Sequence, residues 1–259
     1  MGRRARLDAE LVRRGLVTSR SEAARLIDAR RVLVGGAIAD KASRLVDPGD
    51  NLLLTGPPAR FVSRGGEKLD HALEVFDVDP AGRFVLDAGA STGGFTDCVL
   101  QRGARHVVAL DVGHGQLHPR IRDDVRVTVM ERCNVRDLAT GQLAEPPSLV
   151  VADLSFISLT KVVGALVRVA AAGADLVLLV KPQFEAGRQE VSRGQGVITD
   201  PAVHERARRG VGDALTLAHC SVRAWTDSPI TGADGNVEFL VHATTPERAA
   251  GDDPGAGGV

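Results

Sequence analysis

The chain has 259 residues with 32 Lys or Arg against 33 Asp or Glu, and 44% of its residues are hydrophobic. This is the composition of a soluble globular protein with room for one large domain and a small one. Cys98, Cys133 and Cys220 lie far apart with no CxxC pair, which argues against a disulfide framework or a structural zinc site and fits a reducing cytoplasm. The N-terminus, MGRRARLDAELVRRG, lacks the apolar core of a signal peptide. The longest greasy region, 162–180, is broken by Arg168, Gly173 and Asp175, so no membrane span is expected.

Charge is unevenly distributed. Residues 1–64 hold 13 basic and seven acidic side chains, leaving 19 basic and 26 acidic for the rest. A basic head on an acidic body suggests a polyanion-binding module on a carrier of another task, although a solvated Arg-rich face would look the same. In the head, Leu7, Leu11, Val12 and Leu16 fit a short amphipathic helix ending near Gly15. Ser19, three residues before Glu22, forms a capping box for a second helix in which Ala23, Leu26 and Ile27 share a face. Short strands are expected at RRVLVGG and, after the Pro48-Gly49-Asp50 turn, at NLLL. Two helices followed by strands, with Arg3, Arg4, Arg6, Arg13, Arg14, Arg20, Arg25, Arg30 and Arg31, resemble the RNA-binding domain first known from small-subunit ribosomal protein S-four. Guanidinium groups suit phosphates through their fork geometry. With Phe61 the only aromatic here, folded RNA would be read by shape and backbone rather than by stacking.

Pro57-Pro58 reads as a stiff hinge, and beyond residue 64 the rhythm changes. FVLDAG, HVVALDVG, VRVTVM, SLVVADLS and ADLVLLVKP are short apolar runs, and helical stretches such as FTDCVLQRGA and SLTKVVGALVRVAA lie between some of them. That alternation predicts a parallel sheet wrapped by helices. SVRAWTDSP and GNVEFLVHA read as a closing antiparallel pair, and the Gly-, Pro- and Asp-rich tail as disordered.

The chemistry concentrates where strands end. VLDAGASTGGF is a strand-to-helix turn of the form D-x-G-x-x-x-G-G built on Asp87, Gly89, Gly93 and Gly94. An acid before the first glycine would repel a pyrophosphate but suits a ligand bearing an ammonium and a sulfonium, as S-adenosylmethionine does. Asp111 ends the next strand, where a carboxylate can accept both ribose hydroxyls. Asp153 and Lys181 end the fourth and fifth strands, and ligands of open α/β sheets lie beyond those ends. Lys68 and Glu238 flank this core. Any one of these charges, taken singly, could be an ordinary rim salt bridge.

Together SRGGEKL, LDAGASTGGFTD, DVGHGQL, ADLSFISL, VKPQFEAG and SPITGADGNVEFL closely resemble the TlyA-type ribosomal RNA 2′-O-methyltransferases and, more widely, the FtsJ-like ribose methyltransferases. The resemblance runs from the basic head to about Ala243. It implies a Rossmann-like S-adenosylmethionine-dependent α/β methyltransferase fold with a small N-terminal α+β RNA-binding domain. The expected boundaries are 1–59 for that domain, 60–66 for a linker, 67–245 for the methyltransferase and 246–259 for the tail. It implies that Lys68, Asp153, Lys181 and Glu238 form the family's K-D-K-E tetrad, with Glu185 as an alternative carboxylate. The expected cofactor contacts are Asp87, Gly89, Ser91, Gly93, Gly94, Phe95, Asp111, Asn134 and Asp153; Asn134 reads equally as a turn residue. The implied substrate is a cytidine ribose in small- and/or large-subunit rRNA, methylated in the cytoplasm by a monomer that uses no metal and no membrane. Members often carry a haemolysin label. A non-catalytic rRNA-binding protein with a methyltransferase-like body is the competing reading.

His114 stands where the family is expected to carry an aromatic, and the loop glycines and Pro119 speak against a metal pair of His114 with His118. A ribose 2′-hydroxyl is a weak nucleophile, so its proton must leave as the methyl arrives. A lysine serves as base when burial and a like charge lower its pKa, a need that Lys181 near Lys68 would meet, with Asp153 and Glu238 orienting the groups.

Overall fold

The computed structural model describes residues 4–17, 19–56, 59–186, 196–232 and 234–247. Arg3, the Pro57-Pro58 hinge and the tail beyond residue 247 lie outside them. The chain forms two compact units, Met1–Ala59 and Arg60–Val259.

In the first unit, strand β1 (Ala5–Arg6) leads into helix α1 (Leu7–Arg13), and helix α2 (Arg20–Asp28) follows. Ser19 caps α2 by accepting the Glu22 N–H at 3.1 Å, the bond its position predicts. Strands β2 (Val32–Val34), β3 (Ala37–Ile38) and β5 (Leu52–Leu54) form a three-stranded antiparallel sheet in the order β3-β2-β5. Strand β4 (Leu45–Val46) pairs with β1, a strand that sequence reading does not anticipate. Leu7, Leu11, Ala23, Ile27 and Val32 close a small core at 0% exposure, so the helical periodicity of the head marks its buried face.

The second unit is a seven-stranded sheet. Its strands are β6 (Phe84–Ala88), β7 (His106–Leu110), β8 (Val127–Met130), β9 (Leu149–Ala152), β10 (Asp175–Val180), β11 (Ser221–Asp227) and β12 (Phe239–Thr244). They lie in the order β11-β12-β10-β9-β6-β7-β8. The five expected parallel strands are present in chain order, and β12 runs antiparallel to both β10 and β11. Strands buried on both faces need apolar residues at every position, which is why these segments read as unbroken runs. Neighbouring residues then serve opposite layers. Leu86, Val150 and Leu178 pack toward helices α6 (Val163–Val169) and α8 (Pro201–Leu217). Val85, Val151 and Val177 pack toward α3 (Gly65–Val75) and α4 (Gly94–Gln101). Short helices α5 (Pro119–Arg122) and α7 (Pro182–Glu185) complete the α-helices of the described residues.

Helix α8 is not anticipated by the sequence reading, although its start carries a local signal. Asp200 accepts the Ala202 N–H at 2.8 Å and Pro201 occupies the first turn. Residues 60–66, expected as a linker, pack within the second unit: Val62 donates its N–H to Asp97 at 2.8 Å, and Gly65 and Gly66 open α3.

The chain leaves β6 for β7 and β8 on one side, then crosses to β9 and β10 on the other. Connections that diverge from a central strand leave a crevice beyond its carboxyl end. Stability of this platform rests on the apolar strands. Leu178→Ala, at 0% exposure, is expected to cost about 2–5 kcal/mol in denaturant unfolding. Val125→Ala, at 95% exposure, should stay within about 0.5 kcal/mol; equal effects of the two would contradict the assigned core.

Candidate active site

The crevice is floored by the turn after β6. Gly89 and Ala90 donate their N–H groups to Leu110 O at 2.8 and 3.1 Å, tying the turn to the end of β7. Gly89 has φ +89°, and a Cβ there would sit 2.5 Å from the carbonyl oxygen of Asp153, so only glycine lets the turn lie against the end of β9. A Cβ at Gly94 would lie 2.1 Å from Ser63 Oγ, which brings the segment entering α3 onto the same turn. The glycines therefore do more than bend the chain. They allow three chain segments to meet at one point.

Two cavities open there. The larger, about 480 Å³, is lined by Gly89, Ser91, Asp111, Asn134 and Asp153 among others. Asp111 is fixed by the Ser91 N–H at 2.8 Å and the Gly113 N–H at 2.6 Å. The smaller, about 280 Å³, is lined by Lys68, Asp153, Lys181 and Glu238 together with Ser63, Arg64, Gly94 and Phe95. Gly89, Ser91, Asp153 and Ser155 line both cavities, so the two adjoin along the end of β9.

Four elements deliver the charged groups of the smaller cavity. Lys68 comes from the first turns of α3, Asp153 and Lys181 from the residues just past β9 and β10, and Glu238 from the residue just before β12. Because β12 is antiparallel, with Phe239 opposite Val180, its starting end lies beside the finishing end of β10. A parallel strand would have carried Glu238 to the opposite edge. The lysines are 7% and 9% exposed, and each has a carboxylate partner. Lys68 pairs with Glu238. Lys181 Nζ lies 2.5 Å from Asp153 Oδ1 and donates to Ser155 Oγ at 3.0 Å, with the Phe184 ring centroid 5.8 Å away. Such burial is costly for a lone ammonium and is offset here by pairing. The geometry holds two amines and two carboxylates around one cavity.

The remaining expected residues are placed less uniformly. Asp87 is fully buried, accepts the Thr96 hydroxyl at 2.6 Å and lines neither cavity. Gly93 caps α4 behind the turn. The Asn134 side-chain oxygen accepts the Arg136 N–H at 3.1 Å, a turn-capping role, while the residue also faces the larger cavity. Glu185 stands outside the tetrad: it receives Ser158 Oγ at 2.5 Å and the Leu159 N–H at 2.8 Å, and its burial raises its carboxyl above the ordinary range. It therefore clamps the loop after β9 to the loop after β10. His114 pairs with Glu131 at 2.8 Å and His118 caps α5, so each ring has its own task.

Many of the head's arginines are engaged with their own unit. Arg6 and Arg20 hold the buried Asp8, whose carboxyl falls below the ordinary range mainly through the Arg6 hydrogen bond. Arg13 and Arg14 hold Glu10, lowering it to about 2, and Arg14 also reaches the carbonyls of Pro48 and Asp50. Arg4 pairs with Asp47, and Arg31 bonds Thr55 O at 2.8 Å. Arg25 and Arg30 carry no such partner among the described residues. Fold maintenance thus engages most of these side chains.

Sequence reasoning assigned no role to several lining residues. Ser155, the hydroxyl partner of Lys181, lies inside the quoted ADLSF motif but carries no periodic signal. Phe156 is 93% exposed with φ +64° and stands 5.4 Å from Phe184, giving an aromatic face at the lip of the larger cavity.

Comparison with known proteins gives matches over both units. Residues 61–245 match the FtsJ-like methyltransferases, and residues 5–52 match the S4 domain. The chain is 50% identical over 247 residues to the 16S/23S rRNA (cytidine-2′-O)-methyltransferase TlyA of Mycobacterium tuberculosis, covering 95% of this chain and 91% of that one. It is 40% identical over 240 residues to Hemolysin A of Brachyspira hyodysenteriae, covering 92% and 98%. A solved structure from Streptococcus thermophilus, named as a hemolysin, superposes with a TM-score of 0.75 at 39% identity, covering 95% of this chain and 91% of that one. Among the described residues, no helix is long and apolar enough to cross a membrane.

The buried Asp87 makes the site's support sensitive to pH. Desolvation raises its carboxyl from 3.8 to about 7, against the Thr96 hydrogen bond and with help from the Asp153 charge. The folded protein therefore binds more protons than the unfolded chain across that range, and stability falls as pH rises from about 4 to about 7. Asp87→Asn keeps an acceptor for Thr96 and removes the titration. Its melting temperature should gain on the wild type between pH 4.5 and 7.5; a gap independent of pH would contradict the buried-carboxylate account.

Proposed function

The chain belongs to the FtsJ-like methyltransferase family, and from that premise we propose that it transfers the methyl group of S-adenosylmethionine to the ribose 2′-hydroxyl of a cytidine in ribosomal RNA. The observation that carries this reading is the convergence of Lys68, Asp153, Lys181 and Glu238 on one cavity that adjoins the glycine-floored one. The name borne by the 50% identical mycobacterial relative supports the nucleotide and the two ribosomal RNAs as substrates.

The larger cavity fits the cofactor on its chemistry. Its volume is in the range of small-molecule sites. Asp111 ends β7 with its carboxylate oriented by two backbone N–H groups, suited to the hydroxyls of a ribose. Asp153 on its wall and the orphaned Oδ1 of Asp87 behind the turn favour a cationic ligand, and Asn134 stands ready for a base. When bound there, S-adenosylmethionine supplies a methyl group made electrophilic by its sulfonium.

The chain's own residues do the rest. Nζ of Lys181, which Asp153 and Ser155 hold in place, takes up the 2′-hydroxyl proton as the methyl arrives. Lys68, steadied by Glu238, contacts the target sugar from the opposite element and fixes its direction of approach. Phe156 offers an exposed ring on which a base can rest. The basic face of the first unit brings the folded RNA to the site through phosphate contacts, with Arg25 and Arg30 free to supply them. A ribosomal substrate places the protein in the cytoplasm.

The test is transfer of labelled methyl to ribosomal subunits, with nucleoside analysis for 2′-O-methylcytidine. Lys181→Ala should lower single-turnover transfer by about 10²-fold or more while cofactor affinity by calorimetry changes little. Rapid turnover by that variant, or label recovered on a base, would overturn the assignment.

A further inference from the structure

The charges of the smaller cavity leave one over. Lys68 is matched by Glu238 and Lys181 by Asp153, so the tetrad carries no net charge. Arg64 lines the same cavity from the position that caps α3, and it is half-buried. Its guanidinium has no hydrogen bond or ion pair among the described residues. Elsewhere in the unit this is unusual: Arg60 and Arg102 hold Asp70, Arg83 holds Asp175, Arg120 holds Asp97 and Arg126 holds Asp124. A solvated arginine on a distant face would need no comment. One that faces the tetrad without a counter-ion does.

A ribose in an RNA chain always arrives with phosphodiesters, each bearing one negative charge, and a neutral tetrad offers them nothing. We propose that Arg64 grips the phosphodiester adjoining the target ribose and thereby sets the 2′-oxygen against Lys181. The guanidinium fork matches two phosphate oxygens at once, which fixes orientation as well as distance, whereas an ammonium supplies only a point charge. The first turn of α3, which also lines the cavity through Gly65, adds the favourable end of a helix of 11 residues. Because the segment bearing Arg64 lies on Gly94 through Ser63, the grip is mounted on the same turn that floors the cofactor cavity. This assignment rests on the ribose-methylation reading and names how that site recognises its substrate.

The experiment compares wild type, Arg64→Ala and Arg64→Lys on purified ribosomal subunits lacking the modification, measuring binding and single-turnover methyl transfer across a salt series. Arg64→Ala should slow transfer about tenfold or more, the scale of one lost charge-assisted hydrogen bond. Its plot of log affinity against log salt should be shallower by roughly 0.7–0.9, one phosphate contact. Arg64→Lys should restore the slope and only part of the rate, and melting temperature and cofactor affinity should match wild type in both variants. Wild-type rate and slope in Arg64→Ala would overturn the proposal, as would a slowed rate with an unchanged slope, which marks a merely structural residue. Absence of transfer by the wild type would overturn the ribose-methylation reading itself, and this assignment with it.

Discussion

The structure turns on the ion pair between Lys181 and Asp153 at the ends of two adjacent parallel strands. An ammonium so nearly buried at the edge of a dry sheet is tolerable only with a carboxylate and a hydroxyl in contact, and Asp153 and Ser155 provide both. The pair sits on strands that cannot shift without exposing apolar side chains on both faces. The amine is therefore mounted directly at the end of a strand buried on both faces. Lys68 and Glu238 repeat the arrangement from a helix and an antiparallel strand.

Topology explains why these four residues, scattered over the chain, share a cavity. Reversal of connection direction at β6 opens the crevice, and reversal of strand direction at β12 swings Glu238 to the same edge as Lys181. The turn at Gly89 brings the end of β9 to the floor of both cavities, so Asp153 faces each of them. A methyl donor in one and a sugar in the other would meet across that shared wall. Proximity of this kind is the main contribution a protein can make when the donor is already activated.

Much of this was legible from the residues alone. The parallel strands announce themselves because two-sided burial permits no polar interruption, and Ser19 with Glu22 marks a helix start by a bond only three residues long. What escaped the reading depends on distant partners. Nothing near Arg14 foretells its bonds to the turn at Pro48 and Asp50, and nothing near Arg20 foretells Asp8. An arginine-rich stretch therefore looked wholly free for RNA when part of it braces its own fold. Asp87 shows the same limit: its place in the motif suggests ligand contact, whereas the side chain is fully buried beneath the turn and lines neither cavity. Helix α8 escapes that reading although Val203, Ala207, Val211 and Leu215 recur every four residues on its buried face and Asp200-Pro201 marks its start.

Whether the two ion pairs act as one device that aligns a hydroxyl for attack is measured most directly by a double-mutant cycle on single-turnover methyl transfer. If Lys68 and Lys181 serve the same alignment, Lys68→Ala combined with Lys181→Ala should be hardly slower than the slower single variant, as for groups that act together. Losses that multiply would mean two independent contributions and would contradict the shared-cavity account.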